Sequence, residues 1–220
     1  MKRIGLIISI LTMAVVGQAQ QDAMFTHYSF NTLAVNSGYA GSRKALTVTG
    51  LHRSQWISFP GAPVTQTLTV HGPVYNEKIG VGFSVLNDKI GPIRSTGTSI
   101  DLAYKLRLGN GKLAFGLKGG LNVQSRRLGS EVEVNDNADQ VFQGDVQSQL
   151  LPNFGFGLYY STDKFYVGAS VPRLLENDFY NNAIFAGVSG VRRHYYLIGG
   201  VVFPVNQRQT IKFRPTAFLK

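Results

Sequence analysis

From about Lys44 to the last residue the dominant period of the chain is two. Ile79, Val81, Phe83 and Val85 alternate with Gly80, Gly82 and Ser84. Ile100, Leu102, Tyr104, Leu106 and Leu108 alternate with Ser99, Asp101, Ala103, Lys105 and Arg107. Leu113, Phe115, Leu117, Leu121 and Val123 face away from Ala114, Gly116, Lys118, Gly120 and Asn122. Phe154, Phe156 and Leu158, then Phe165, Val167 and Ala169, repeat the pattern against Gly155, Gly157, Gly168 and Ser170. Such alternation marks β-strands with one apolar face. About ten strands are predicted: roughly 44–52, 63–71, 78–87, 96–108, 112–126, 151–161, 164–172, 182–190, 194–204 and 209–219. Gly109-Asn110-Gly111 reads as a tight hairpin, and Ser161-Thr162-Asp163 as a short turn.

The polar face needs water and the apolar face needs either a second sheet or lipid, so periodicity alone leaves a soluble sandwich and a membrane barrel open. Three features favour the barrel. Many strands reach the ~9–11 residues that cross a bilayer at a tilt. Aromatics fall near strand ends: Tyr75, Phe154, Tyr159, Tyr160, Phe165, Tyr195 and Tyr196. The first residues read as a secretory signal: Lys2 and Arg3, an apolar run from Ile4 to Val16, and a small-residue cleavage site between Ala19 and Gln20. The expected organisation is a signal peptide over 1–19, a turn-rich lead-in over 20–43 and a β-barrel domain over 44–220. The fold class is all-β, an antiparallel transmembrane barrel of outer-membrane type. Small residues on the polar face suit a filled lumen. Alternation still runs at Lys220, and an unpaired edge is not tolerated in lipid, so the strand set is expected to be incomplete at the C-terminus.

Composition narrows the chemistry. The 220 residues include 25 Gly, 14 Phe and 10 Tyr, with only 15% charged and no Cys. Disulfides, thiolate metal sites and thiol nucleophiles are excluded. The net charge is +10, but the basic residues are scattered, and an exported chain is a poor nucleic-acid binder. Anionic headgroups or polysaccharide are the other possible contacts for such charge. Leu128 to Leu150 stands apart: Glu131, Glu133, Asp136, Asp139 and Asp145 occur there without a Lys or Arg. It reads as an extracellular loop and a candidate partner-binding loop. Its spacing lacks the ligand alternation, central Gly and terminal Glu of a calcium loop. The four histidines show no metal-site spacing, and no nucleophile elbow or phosphate loop occurs. His52 with Ser54, or His71 with Asp101, are the only pairs worth naming for rim catalysis, and each reads better as a polar lumen or interface residue. No catalytic residue, cofactor or metal is assigned.

Three ordered segments carry a resemblance. Gln21-Asp22-Ala23-Met24-Phe25-Thr26-His27-Tyr28 leads into Phe30-Asn31-Thr32-Leu33-Ala34-Val35-Asn36-Ser37-Gly38-Tyr39-Ala40-Gly41-Ser42. Gln55-Trp56 is followed by Gly61-Ala62-Pro63-Val64-Thr65. The strand pair from Pro152 through Val171 completes the set. Together they closely resemble the PorP/SprF family of type IX secretion system membrane proteins, with Ser37-Gly38 where that family usually has Asn-Pro. Of the motif residues, Gly61 and Pro63 preset a turn, Thr65 starts a strand, amphipathic Trp56 suits a membrane interface or a plugged loop, and Asn36 to Gly41 is a turn-rich lead-in able to fold inside the lumen. The resemblance implies a non-enzymatic outer-membrane component of type IX secretion and gliding. Its implied partners are outer-membrane lipid, other secretion components and a secreted adhesin or cargo protein that it docks for export or surface attachment. The competing reading is a porin with a basic lumen, on Lys105, Arg107, Lys118, Lys212 and Arg214.

Overall fold

A computed structural model describes residues 28–126, 146–178, 190–191, 193–205 and 212–220. The chain enters through a single helical turn, α1 (Thr32–Val35), and a 3-10 turn, Ser37–Tyr39. Seven strands follow in an unbroken meander: β1 (Thr47–Ser54), β2 (Val64–Pro73), β3 (Ile79–Ile90), β4 (Ile93–Leu108), β5 (Gly111–Arg126), β6 (Val146–Ser161) and β7 (Phe165–Val171). Next come β8 (Asn177–Asp178), β9 (Gly190–Val191), β10 (Tyr196–Val201), β11 (Phe203–Pro204), β12 (Lys212–Phe213) and β13 (Thr216–Leu219). Nine of them form one antiparallel sheet in the order β1-β2-β3-β4-β5-β6-β7-β10-β13, which curls into part of a barrel with β1 and β13 as its edges.

The period-two reading sets the faces correctly. Phe83, Ile100, Leu102, Tyr104, Leu106, Phe115, Leu117, Leu121, Phe154 and Phe156 are exposed, while Thr67, Thr69, His71, Asp101, Lys105, Lys118 and Ser170 are buried. A protein that buries its polar face and exposes its apolar one is turned inside out for lipid. The three 16-residue strands, β4, β5 and β6, are about 50 Å long at ~3.3 Å per residue, enough to cross an apolar band ~25 Å tall at a tilt and emerge beyond it. Gly109-Asn110 closes the β4–β5 hairpin, with Gly109 at φ +56°. Thr162 closes β6–β7 by accepting from the amides of Lys164 and Phe165. With the β2–β3 connection through Val74–Lys78, these make a short-turn end. The opposite, long-loop end carries the tight Gly91-Pro92 turn and the connections over 55–63, 127–145 and 172–195, while the β10–β13 connection over 202–215 returns at the short-turn end.

Three expectations need correction. The acidic segment does not extend to Leu150, because Val146–Leu150 already pairs with β5. The strand expected over 182–190 lies outside the described residues except for Gly190, which pairs with Asp178 in a separate two-residue ladder, while β7 pairs directly with β10. The strand expected over 209–219 divides at Arg214-Pro215. Proline has no N–H for a ladder, so β12 pairs with β11 and only β13 joins the sheet. Finally, Tyr159 and Tyr196 are not girdle aromatics. Tyr159 is buried in the lumen against Tyr39 and Tyr166, and Tyr196 stacks on Phe218. The cleavage pair Ala19 and Gln20 and the acids Glu131, Glu133, Asp136, Asp139 and Asp145 lie outside the described residues.

Candidate functional site

The core of this molecule lies between the sheet and its own N-terminal segment. Residues 28–42 run across the concave face as a plug. Leu33 and Ala40 pack on Ala103, and Tyr28 and Val35 belong to a cluster with Ala114, Tyr159 and Ile198. The wall accepts a backbone here because it has no side chains in the way. A Cβ at Gly80 would overlap the Ala40 carbonyl, and one at Gly116 would overlap the Gly38 amide. One at Gly157 would overlap Asn36 Oδ1. Glycines that look like weak points in a strand therefore form the bed of the plug.

Polar contacts then fix its register. Asn36 is fully buried; its Nδ2 donates to the Leu158 carbonyl at 2.9 Å, and its Oδ1 accepts from the Gly38 amide at 2.8 Å. Ser170 Oγ donates to the Val35 carbonyl at 2.7 Å. The Gly41 amide donates to His71 Nδ1 at 3.1 Å, and Lys105 Nζ donates to the Gly41 carbonyl. Lys118 Nζ lies 2.8 Å from Asp101 Oδ1 and 3.0 Å from Oδ2, and also reaches Ser99 Oγ at 3.3 Å and the plug's Leu33 carbonyl at 3.5 Å. Asp101 is 0% exposed, so its charge depends on this lysine. Beyond the plug, towards the long-loop end, lies a cavity of about 180 Å³ lined by Thr67, Ser84, Lys118, Asn122, Asn153 and Tyr196 among others.

The residues singled out from the sequence fall in different places. His71 and Asp101 both face the lumen, yet each is committed to another partner: Gly41 for one, Lys118 for the other. His52 Nε2 does meet Ser54 Oγ at 3.0 Å, but on the exposed outer face, with Gln66 on the other ring nitrogen rather than a carboxylate. Trp56 is 70% exposed at φ +49° in the β1–β2 loop, which removes the plugged-loop reading. That loop is held by hydrogen bonds from the Gln55 amide to the Pro63 carbonyl and from the Gly91 amide to the Gly61 carbonyl. Thr65 is buried on the lumen side of β2. Sequence reasoning overlooked Asn36, Lys118 and Ser170 as plug anchors. Their only signal was a polar residue on the inward phase of a strand, or an Asn in a turn.

A filled half-barrel with a lipid-facing exterior agrees with one comparison. The family model described as type IX secretion system membrane protein PorP/SprF matches residues 17–220. The chain belongs to this family. In this PorP/SprF member the matched span takes in the plug, the glycine bed and all nine strands of the main sheet. No curated protein gives a significant match to the chain. The resemblance read from Phe30–Ser42, Gln55–Thr65 and Pro152–Val171 is therefore correct at the level of the family, and it identifies a membrane component of type IX secretion.

Proposed function

We infer that this PorP/SprF member is a non-enzymatic outer-membrane platform that docks secreted proteins, such as adhesins, for export or surface attachment. The observation that carries this reading is the plug. A lumen occupied by the chain's own backbone, pinned through Asn36, Ser170, His71, Lys105 and Lys118, is built as a fixed body rather than an open conduit. Contacts with other molecules are then left to the rims. In outer-membrane barrels short turns face the periplasm and longer loops face outwards. On that orientation the segment with Glu131, Glu133, Asp136, Asp139 and Asp145 belongs to the outer rim, where it steers a basic partner surface. The signal peptide cut between Ala19 and Gln20 supplies the export route. The described part of the lead-in, residues 28–43, packs on the domain over 44–220 as its plug.

Two experiments test this. Deleting the gene abolishes surface display of the dependent adhesin or cargo while other outer-membrane proteins assemble normally; intact display removes the platform reading. Changing the five acids to Asn and Gln lowers display at an unchanged barrel level. Normal display in that variant makes the segment a solvated loop only. The porin reading predicts steady anion-selective current in planar bilayers, which a pinned plug opposes.

A further inference from the structure

The mouth of the lumen at the short-turn end is crowded with cations. In β4, Lys105 and Arg107 share the inward phase of Asp101, while Tyr104, Leu106 and Leu108 point to lipid. In β5, Lys112 stands directly opposite Arg107 in the register. Arg43 and Lys44 lie where the plug leaves the lumen; Arg43 Nε donates to Tyr39 Oη at 3.2 Å. Arg214 lies over the Tyr166 ring at 5.2 Å, and Tyr166 packs on Tyr159, which packs on Tyr39. An aromatic row thus separates the two arginines. Among the described residues the acids at this end are Glu77, 2.8 Å from Lys112, and Asp163 in the β6–β7 turn.

This arrangement works against stability. Like charges directly opposite in a ladder repel, and Arg107 and Lys112 form such a pair. A small pocket beside them is lined by Ser42, Arg43, Lys44, Lys105 and Lys112, four cations against the single carboxylate of Glu77, and the buried Ser42 Oγ has no hydrogen-bond partner. Clustered cations, a like-charge pair and an orphaned hydroxyl have one common remedy, an oxyanion from outside. The cations point to the lumen, and the outer wall at their level presents Leu108, Phe115 and Phe165, so a lipid headgroup is the wrong occupant. A polypeptide arriving from the aqueous side reaches them directly.

We propose that the short-turn mouth is an electrostatic dock for a carboxylate-rich segment of a partner protein on that side of the membrane. The proposal rests on the platform reading and gives that platform a second contact face, opposite in charge and in position to the acidic rim.

The test uses the full-length protein in non-ionic detergent and a fluorescent octaglutamate peptide, followed by anisotropy. The wild type binds octaglutamate and not octaglutamine, and binding weakens as salt shortens the screening length from ~10 Å at 0.1 M to ~3 Å at 1 M. The double variant Lys44→Gln/Arg107→Gln binds about tenfold more weakly, since both changed cations face the ligand. The matched variant Lys89→Gln/Arg94→Gln, at the long-loop end, binds like wild type. Because Arg107→Gln relieves a repulsion, its denaturation midpoint stays equal to or rises above the wild type, so lost binding is not lost folding. No binding, or binding that both double variants share, overturns the proposal. Competition by inorganic phosphate at the same concentration as the peptide makes this a free-anion site and also overturns it. Vesicles of phosphatidylglycerol that displace the peptide from the wild type point to lipid and do the same. These outcomes concern the mouth alone; the gene deletion above decides the platform reading separately.

Discussion

At the scale of single residues, the lumen holds its plug through a few groups whose removal has distinct costs. Lys118 is the partner of a carboxylate with no exposure, so Lys118→Met strands a buried charge and costs about 3–5 kcal/mol. The double change Asp101→Leu/Lys118→Leu removes both charges and recovers most of that loss. Urea midpoints of the folded barrel separate the two, and an equal loss in single and double variants defeats the pairing argument. Glycines are told apart by what a methyl group would meet. At Gly116 it would strike the plug backbone, whereas at Gly119, on the outward phase of the same strand, it would meet open space. Gly116→Val therefore costs about 1–3 kcal/mol and exposes residues 28–42 to protease, while Gly119→Val leaves the plug protected. Outside the membrane-crossing segments, the hydrogen bond and charge of Lys112 hold the Glu77 carboxyl below its ordinary value. A depressed value means the contact contributes above the unfolded-state pKa and fades as pH falls through the folded one. Lys112→Gln moves the Glu77 titration midpoint upwards, as followed by carboxyl NMR shifts.

Elements show how far a two-residue period carries. It located the seven strands from β1 to β7 within a few residues and put Leu102, Leu117 and Phe156 on the same outer face. It also marked the Gly109-Asn110 turn, because a tight hairpin needs residues that tolerate positive φ. Later in the chain it failed for a definite reason. Alternation says that a segment is extended, not which neighbour it pairs with. Gly190 and Lys212 are therefore in strands, but in ladders outside the barrel sheet. The face assignment has a direct test. Leu117 is 62% exposed near the middle of β5, and Leu117→Arg places a cation in lipid at about 2–4 kcal/mol if the site is near mid-bilayer. Assembly of Leu117→Arg falls well below that of Leu117→Met when both are scored by heat-modifiable migration in detergent. Equal assembly returns the outer face to water.

For the molecule as a whole, an exposed apolar exterior and a buried polar interior demand a bilayer. The full-length protein fractionates with outer membranes and needs detergent for extraction; recovery as a soluble monomer refutes the barrel. The plug occupies the concave face, packed through Leu33, Val35 and Ala40 on the wall. The inverted burial pattern and the curled sheet agree on a membrane barrel, and the family model makes it a type IX secretion membrane component.

The sequence by itself determined the fold class, the inward and outward faces, the hairpin turns and the family. Each of these is written in local order, as a period, a turn residue or a contiguous motif. Only the tertiary structure decided that Phe30–Ser42 lies inside the barrel and that Gly80, Gly116 and Gly157 are its bed. The same holds for the pairing of Lys118 with Asp101 instead of Asp101 with His71. Those contacts join residues far apart in the chain, such as Asn36 and Leu158, across a space that exists only once the sheet has curled. A strand pattern records which way a side chain points. What it meets there depends on the curvature of the whole wall.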